Sequence, residues 1–317
     1  MMQSKNNVTV LMTTYNDAAY ISHSVKSILD QTYNDFEFLI IDDGSDDNTG
    51  KIITCFNDPR INYKKIEHTG LAGALNFGLK NSSGDLIARI DADDLSTPER
   101  LKTQIEFMRS NPDTDVLSGW SVYFKDKNKI LFTIKPPSDD KSIKEFLNIH
   151  NPVNHSAVIY KKEKILDEGG YNEDFGCYED FELWFRLRDK LQFRILPEVM
   201  VYTRMRSNSL SSRGSSHKIY EVLRANALSK SEKTDQANEK KFWNNILFWI
   251  EYFYGSKSVS RQLYAKDITF KKSLAYLNTF FPESIFEKIT ALRLRHRLQS
   301  VFEDVKEHRE KLSDLLK

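Results

Sequence analysis

The chain is poor in the features that announce several large protein classes. Its 317 residues include 2 cysteines, Cys55 and Cys177. That is too few for a disulfide framework or a cysteine-based zinc site, and free thiols in a reducing compartment are the expectation. No stretch approaches the roughly 18 consecutive apolar residues of a membrane-crossing helix. Excess charge is also missing: 46 Lys and Arg against 45 Asp and Glu leave +1, so no global field draws the chain toward nucleic acid. The opening "MMQSKNNVTVLMTTYN" lacks the basic start, apolar stretch and small-residue cleavage site of a secretion signal. These absences set the expectation of a soluble cytoplasmic protein with no nucleic-acid partner. What is abundant is core material. Apolar residues make up 40% and aromatics 12%, ample for one large domain or two modest ones.

The first half alternates strand and helix patterns. "VTVLM" (Val8 to Met12) reads as a buried strand, and Ile21, Val25, Ile28 and Leu29 then recur at helical spacing. "FEFLII" and "INYKKI" follow as strands, separated by helical Ile52, Ile53 and Phe56. The small-residue "GLAGALNFGLK" suits a helix lying close on a sheet, and "DLIARI" (Asp85 to Ile90) is the next strand. Thr97 before Pro98 reads as a helix cap. Such alternation predicts a mostly parallel sheet covered on both faces, with ligands bound outside the carboxyl ends of its strands. Thr13, Tyr15 and Asn16, then Asp42 and Asp43, then Asp91, Asp93 and Asp94 all follow strands and should converge on one rim. Further on, "VLSGWSVYF" and "KILFTI" read as a hairpin, "HSAVIY" as a strand, and Tyr178 to Lys190 as a helix. A Ser-rich stretch, Arg206 to Ser216, reads as a linker to a region of helices only.

Three acidic clusters carry the candidate chemistry. "DADD" packs Asp91, Asp93 and Asp94 where an apolar strand ends. Close carboxylates repel unless a cation or good solvation offsets them. Hard oxygen ligands suit magnesium, manganese or calcium, and magnesium commonly adds substrate phosphates to one or two carboxylates. The alternative is a solvated acidic turn that favours the following helix. In "IIDDGSDDNTG", Gly44 supplies a tight turn, Ser45 or Asp46 can cap a helix, and Asp43 can accept hydrogen bonds from a base or sugar. Glu179 and Asp180 open a helix, where its dipole alone accounts for them. Asp180 is also placed to act as a general base if an attacking hydroxyl comes within hydrogen-bond reach.

Taken in order, "VTVLMTTYN", "SILDQTYNDFEFLIIDDGSDDNT", "GLAGALNFGLKNSSGDLIARIDADD" and "GGYNEDFGCYEDFELWFRL" resemble the inverting family 2 glycosyltransferases of bacterial polysaccharide synthesis. The match covers the first two-thirds of the chain. The resemblance implies an α/β GT-A fold and transfer of a sugar, of hexosyltransferase type, from a nucleotide-sugar donor, most often UDP-linked. The acceptor would be a hydroxyl of a glycan or lipid-linked molecule. It implies that Thr13 and Tyr15 line the nucleotide pocket and that Asp43 contacts the base. Asp91 and Asp93 match the DxD metal–diphosphate motif, with Asp93 the closer ligand of Mn2+ or Mg2+, and Asp94 lies near the donor sugar. Asp180 matches the catalytic base and Glu179 its companion near the acceptor. One departure stands out. Where the family often carries a metal-binding histidine, "YTRMRSNSLSS" puts Arg206, which cannot ligate a cation but can pair with phosphate. Arg204 or Arg206 is therefore expected to close over the diphosphate, with weaker metal dependence. His155 falls in a family segment and either shapes the acceptor side or is structural. Membrane helices and the Gln-x-x-Arg-Trp motif of processive members are absent from the sequence, which implies single addition.

The expected organisation is a catalytic domain over 1–215, with a nucleotide-sugar half to about 95 and an acceptor half from 96, followed by a helical region, 216–317. In that region "FWNNILFWIEYFY" suits packing on the catalytic domain, a homodimer interface or peripheral membrane contact, and basic "RLRHR" suits the inner face of an anionic membrane. Two competing readings are a sugar nucleotidyltransferase and a non-catalytic nucleotide- or glycan-binding protein. The first lacks its Gly-rich basic segment near the N-terminus. Intact Asp93 and Asp180 weigh against the second.

Overall fold

The computed structural model describes residues 8–125, 129–206, 217–264 and 305–316. Four parallel strands, β1 (Val8–Thr14), β2 (Phe36–Asp42), β3 (Ile61–Lys65) and β4 (Leu86–Asp91), lie in the order β3-β2-β1-β4. They are linked by α1 (Ile21–Leu29), α2 (Thr49–Thr54) and α3 (Leu71–Asn81). The sheet continues past β4 through a short antiparallel β8 (Ile159–Lys161) to β6 (Val116–Phe124). Parallel to β6 runs β9 (Phe193–Arg204), whose far edge pairs with β5 (Leu95–Ser96). The parallel ladders are the long ones, so the sheet is mostly parallel. The expected hairpin is present, β6 with β7 (Ile130–Ile134). One sheet thus runs through both halves of the expected catalytic domain, while its expected end near 215 lies outside the described residues.

Strand alternation sorts the core. Leu11, Leu39, Ile41 and Ile87 face one side, toward α3 and α7 (Glu179–Leu187). Val10, Met12, Phe38, Ile40, Ala88 and Ile90 face the other, toward α1 and α4 (Arg100–Ser110). The small residues of α3 work as expected, since a Cβ at Gly78 would overlap the Leu11 side chain. Both α5 (Asp140–Leu147) and α6 (Lys162–Leu166) add buried residues to the first cluster.

Three local expectations are corrected. Of "HSAVIY" only the last two residues are strand, in β8 (Ile159–Lys161). His155–Ala157 is a 3-10 turn because the Asn154 side chain accepts the Ala157 N–H at 3.1 Å and closes it. Thr97 does not cap α4. Its hydroxyl donates instead to the Met200 carbonyl at 3.2 Å, fastening β5 to β9. Neither Ser45 nor Asp46 caps α2. Asp47 accepts the Thr49 N–H at 2.9 Å, while the Ser45 hydroxyl accepts the Asn16 N–H.

The helices His217–Lys233 and Ala237–Phe253 pack together and join the core cluster on one side of the sheet. Ile246, Leu247, Phe248, Trp249 and Ile250 join one core cluster with Phe181, Leu183 and Trp184 of α7. The aromatic stripe is therefore core. Buried Glu251 accepts from Arg224 Nε at 2.7 Å and from the Ser256 N–H at 3.0 Å. Leu312, in the helix Val305–Leu315, and Leu316 pack on Phe124 and Tyr202. The "RLRHR" stretch lies outside the described residues. Among the described residues no helix is long and apolar enough to cross a membrane.

Candidate active site

Parallel register explains why the polar strand ends meet. Thr13 stands opposite both Ile41 and Asp91, and Thr14 opposite Asp42, so the three strands reach the rim together. Asp42 is fully buried and spent on structure, accepting the Ser45 N–H at 2.8 Å and the Tyr63 hydroxyl at 2.6 Å. Gly44 makes the turn with φ +82°, a conformation that disfavours side chains. Asp43 lies at the start of α3. Its carboxylate accepts the Thr69 and Gly70 N–H groups at 2.7 and 2.9 Å, and His68 Nδ1 lies 2.9 Å away. The exposed Tyr15 ring stacks on His68, centroids 4.3 Å apart. Tyr15 and His68 thus form a stacked aromatic shelf beside the Asp43 carboxylate.

On β4, Arg89 and Asp91 are two apart and so point to the same side. Arg89 is fully buried, is ion-paired with Asp91, and reaches Thr13 Oγ1 at 3.5 Å. Ser156 clasps Asp91 from the other side, donating to Oδ2 at 2.5 Å and accepting the Asp91 N–H at 3.1 Å. With these partners the Asp91 carboxyl is held below the usual carboxylate range, the Arg89 charge and the Ser156 hydrogen bond outweighing the burial that opposes them. Asp93 has the opposite balance. Burial and the Asp91 charge push it up to about 6, although Arg206 Nε lies 2.6 Å from it. Asp94 is raised well above normal by burial, Asp93 and Asp91, and accepts the Arg204 N–H at 2.8 Å.

These two rises have a consequence for stability. A carboxyl raised in the folded state gives stability that is present below its unfolded pKa, near 4, and lost as pH climbs through the folded value. Asp94→Asn removes that loss. It is expected to raise the melting temperature of the ligand-free protein by several degrees at pH 8 and hardly at all at pH 4.5. Equal shifts at both pH values in a thermal melt would refute the electrostatic origin.

The mutual repulsion of Asp91 and Asp93 is also the test of whether a cation fits. Among the described residues no three His, Cys, Asp or Glu side chains converge. A bound cation would therefore have one or two carboxylates and complete its shell with diphosphate oxygens and water, the habit of magnesium and the oxygen-rich manganese sites. The donor set fits such an ion.

Arg206 reaches this cluster, with Nη1 3.0 Å from Asp17 and Nε on Asp93. Arg204 is placed differently. Its guanidinium lies over the Tyr20 and Phe124 rings, 4.9 and 4.5 Å from their centroids, and Nε donates to the Asp93 carbonyl at 3.1 Å.

Across the cleft, Glu179 and Asp180 open α7. Asp180 accepts Asn151 Nδ2 at 2.8 Å, and burial lifts its carboxyl to about 6. Glu179 is buried, and burial and the Asp180 charge raise its carboxyl well above the usual carboxylate range; one oxygen lies 3.7 Å from His155 Nδ1. His155 Nε2 meets the Tyr171 hydroxyl at 2.9 Å, and burial keeps its ring neutral. Burial and the Asp94 charge hold the nearby Tyr123 hydroxyl protonated, and Asn154 Nδ2 donates to it at 3.3 Å.

Sequence reasoning missed Arg89, Ser156, Asn151, Tyr123, Asp17 and His68. An arginine inside "LIARI" was a readable signal, because a buried strand admits a charge only with a partner. The others lie in loops or on strands whose neighbours no local pattern names.

A curled, mostly parallel sheet flanked by helices, with acidic residues gathered at the ends of its strands, is the architecture of the GT-A fold. The chain belongs to glycosyl transferase family 2, whose model matches residues 9–168. It is 35% identical over 258 residues to an uncharacterized glycosyltransferase of Methanocaldococcus jannaschii, covering 78% of this chain and 85% of that one. It is 31% identical over 214 residues to the Escherichia coli UDP-Gal:alpha-D-GlcNAc-diphosphoundecaprenol beta-1,3-galactosyltransferase, covering 65% of this chain and 77% of that one. Among solved structures, S. aureus TarS 1-349 in complex with UDP-GlcNAc superposes with TM-score 0.57 at 20% identity, over 98% of this chain and 89% of that one.

Proposed function

We propose that the protein is a non-processive, inverting glycosyltransferase that moves a sugar from a UDP-linked donor to a hydroxyl of a glycan or lipid-linked acceptor in cell-surface polysaccharide synthesis, at the cytoplasmic face of the membrane. The observation that carries this reading is the proximity of two unlike carboxylate sites, close enough for the Asp91 charge to act on Asp180. Asp91 and Asp93 sit at the nucleotide rim and Asp180 faces them from α7. In this reading residues 1–215 form the catalytic domain. The half up to about 95 binds the donor, and the half from 96 holds the acceptor.

The nucleobase lies on the Tyr15–His68 shelf with Asp43 and Thr13 beside it. A divalent ion, when bound at Asp91 and Asp93, supplies charge stabilisation for the departing diphosphate. Asp94 faces the donor sugar. Arg206, already on Asp93 and Asp17, swings to the diphosphate as a second positive group. Asp180, ionised at neutral pH, takes the acceptor hydroxyl's proton as that oxygen attacks the anomeric carbon from the face opposite the leaving group. One displacement inverts the configuration, and Glu179 holds the acceptor beside it.

The first test incubates the protein with a panel of nucleotide sugars in manganese, magnesium or EDTA and measures free nucleotide. Metal-stimulated release from one UDP-sugar is expected. Absence of both release and UDP binding would sink the reading. Arg206→Ala is expected to weaken UDP binding about tenfold or more, the worth of one charge-assisted contact. Unchanged affinity by calorimetry would remove Arg206 from the diphosphate.

A further inference from the structure

The segment His150–Ser156, between α5 and β8, touches both sides of the cleft and the C-terminal helices at once. Ser156 holds Asp91, His155 lies beside Glu179, Asn154 donates to Tyr123, and Asn151 donates to Asp180. At its outer end, His150 Nδ1 lies 2.6 Å from the Tyr254 hydroxyl, and the His150 ring sits edge-on to Phe253, centroids 4.6 Å apart. We propose that Asn151 is the positioning residue of the catalytic base, and that the C-terminal helical layer fixes Asn151 through Tyr254 and His150. This rests on the assignment of Asp180 as base.

The geometry is specific about which atom does what. Asp180 has two oxygens. Oδ1 accepts the neighbouring Phe181 N–H at 2.6 Å, and Oδ2 accepts Asn151 Nδ2. The Asn151 amide cannot turn over freely, because its Oδ1 accepts the Val153 N–H at 3.0 Å. That bond fixes which end of the amide faces the base. The preceding residue is tied twice. The His150 N–H donates to the Phe146 carbonyl at 2.9 Å in α5, and its ring meets Tyr254, whose own N–H donates to the Ile250 carbonyl at the end of the Ala237–Phe253 helix. That helix and α7 share one buried apolar cluster, which holds the layer in place. A base must keep its oxygen within a few tenths of an ångström of the attacking hydroxyl, and the chain Tyr254–His150–Asn151–Asp180 supplies that constraint from outside the α/β sheet.

Losing the Asn151 amide would remove a hydrogen bond made to the ionised carboxylate and so raise the Asp180 pKa. The other groups that bear on Asp180 are Glu179 beside it, Asp91 and Arg89 on β4 and Tyr123 on β6. The variants below leave all of these in place.

The test uses the full chain labelled with 13C-carboxyl aspartate, the Asp180 resonance being assigned by its loss in Asp180→Asn. In Asn151→Ala the Asp180 midpoint is expected to rise by about one pH unit, a tenfold change in its proton affinity. The acid limb of UDP release from UDP-GlcNAc or UDP-galactose should move with it, while UDP affinity stays unchanged. Tyr254→Phe, which removes one hydroxyl and keeps the packing, is expected to shift the midpoint in the same direction by roughly half as much. An unmoved midpoint in both variants overturns the proposal. If Asn151→Ala does not fold, Tyr254→Phe decides alone. The resonance reads out even when neither donor is consumed, and turnover surviving in Asp180→Asn would sink the base assignment while leaving the coupling measurable.

Discussion

Asp180→Asn is expected to lower sugar transfer by about a thousandfold, the middle of the range for general base catalysis, with nucleotide-sugar affinity held within about twofold. The substitution keeps size and shape and removes only the capacity to take a proton. The donor rim lies on β1, β2 and β4, and Asp180 lies across the cleft on α7, so binding should survive. The pH profile gives a second check on the same residue. Burial lifts the Asp180 carboxyl to about 6, so its active, ionised form predominates above that value. Transfer by the unaltered protein should fall tenfold per unit as pH drops below about 6, the slope of a single required deprotonation. Transfer by Asp180→Asn within tenfold of the unaltered protein would end the base assignment. Retained donor binding with no transfer would separate an enzyme from a non-catalytic nucleotide-binding protein.

Asp93→Ala is expected to abolish metal-stimulated nucleotide release, a loss of about a hundredfold or more from removing charge stabilisation at the leaving group. The ligand-free protein holds Asp93 against burial and the Asp91 charge, with Arg206 as its one strong compensation. A cation relieves that repulsion, so manganese should raise the melting temperature of the unaltered protein and not that of Asp93→Ala. Arg206 keeps Asp17 as a partner in the variant, so a collapse of the loop is not the expected cause of any loss. Full manganese stimulation in Asp93→Ala would remove this residue from the metal site.

The N-terminal half was the legible part of the chain. Short apolar-rich runs such as "VTVLM" and "FEFLII" read as buried strands by their length and β-branched content, and their spacing left room for one helix each. Parallel register then brought Thr13 level with Asp91 and Thr14 level with Asp42, so the rim followed from the strands. The acceptor side was less legible because its contacts are long-range. Nothing around Asn151 names Asp180, which lies 29 positions on, and nothing in "EYFYG" names His150. Helix caps were misread for a similar reason. Thr97 had a better partner in the Met200 carbonyl, supplied by a strand 103 positions away. The aromatic stripe of the Ala237–Phe253 helix left core, dimer and membrane all open. Its burial against α7 decided among them.

The ion pair of Arg89 and Asp91 has a bearing on descent. Arg89 is wholly enclosed, and Arg100 Nη2, also enclosed, donates to its carbonyl at 2.7 Å. If Asp91 were lost, the Arg89 guanidinium would remain in the interior with its ion-pair partner removed and the Arg100 charge close by, at a cost of several kcal/mol. A lineage that abandoned catalysis could shed Asp180, at the cleft wall, with little harm to the fold. It could not shed Asp91 alone. Retired copies of this enzyme should therefore lose Asp180 first, and keep Arg89 and Asp91 or replace both together.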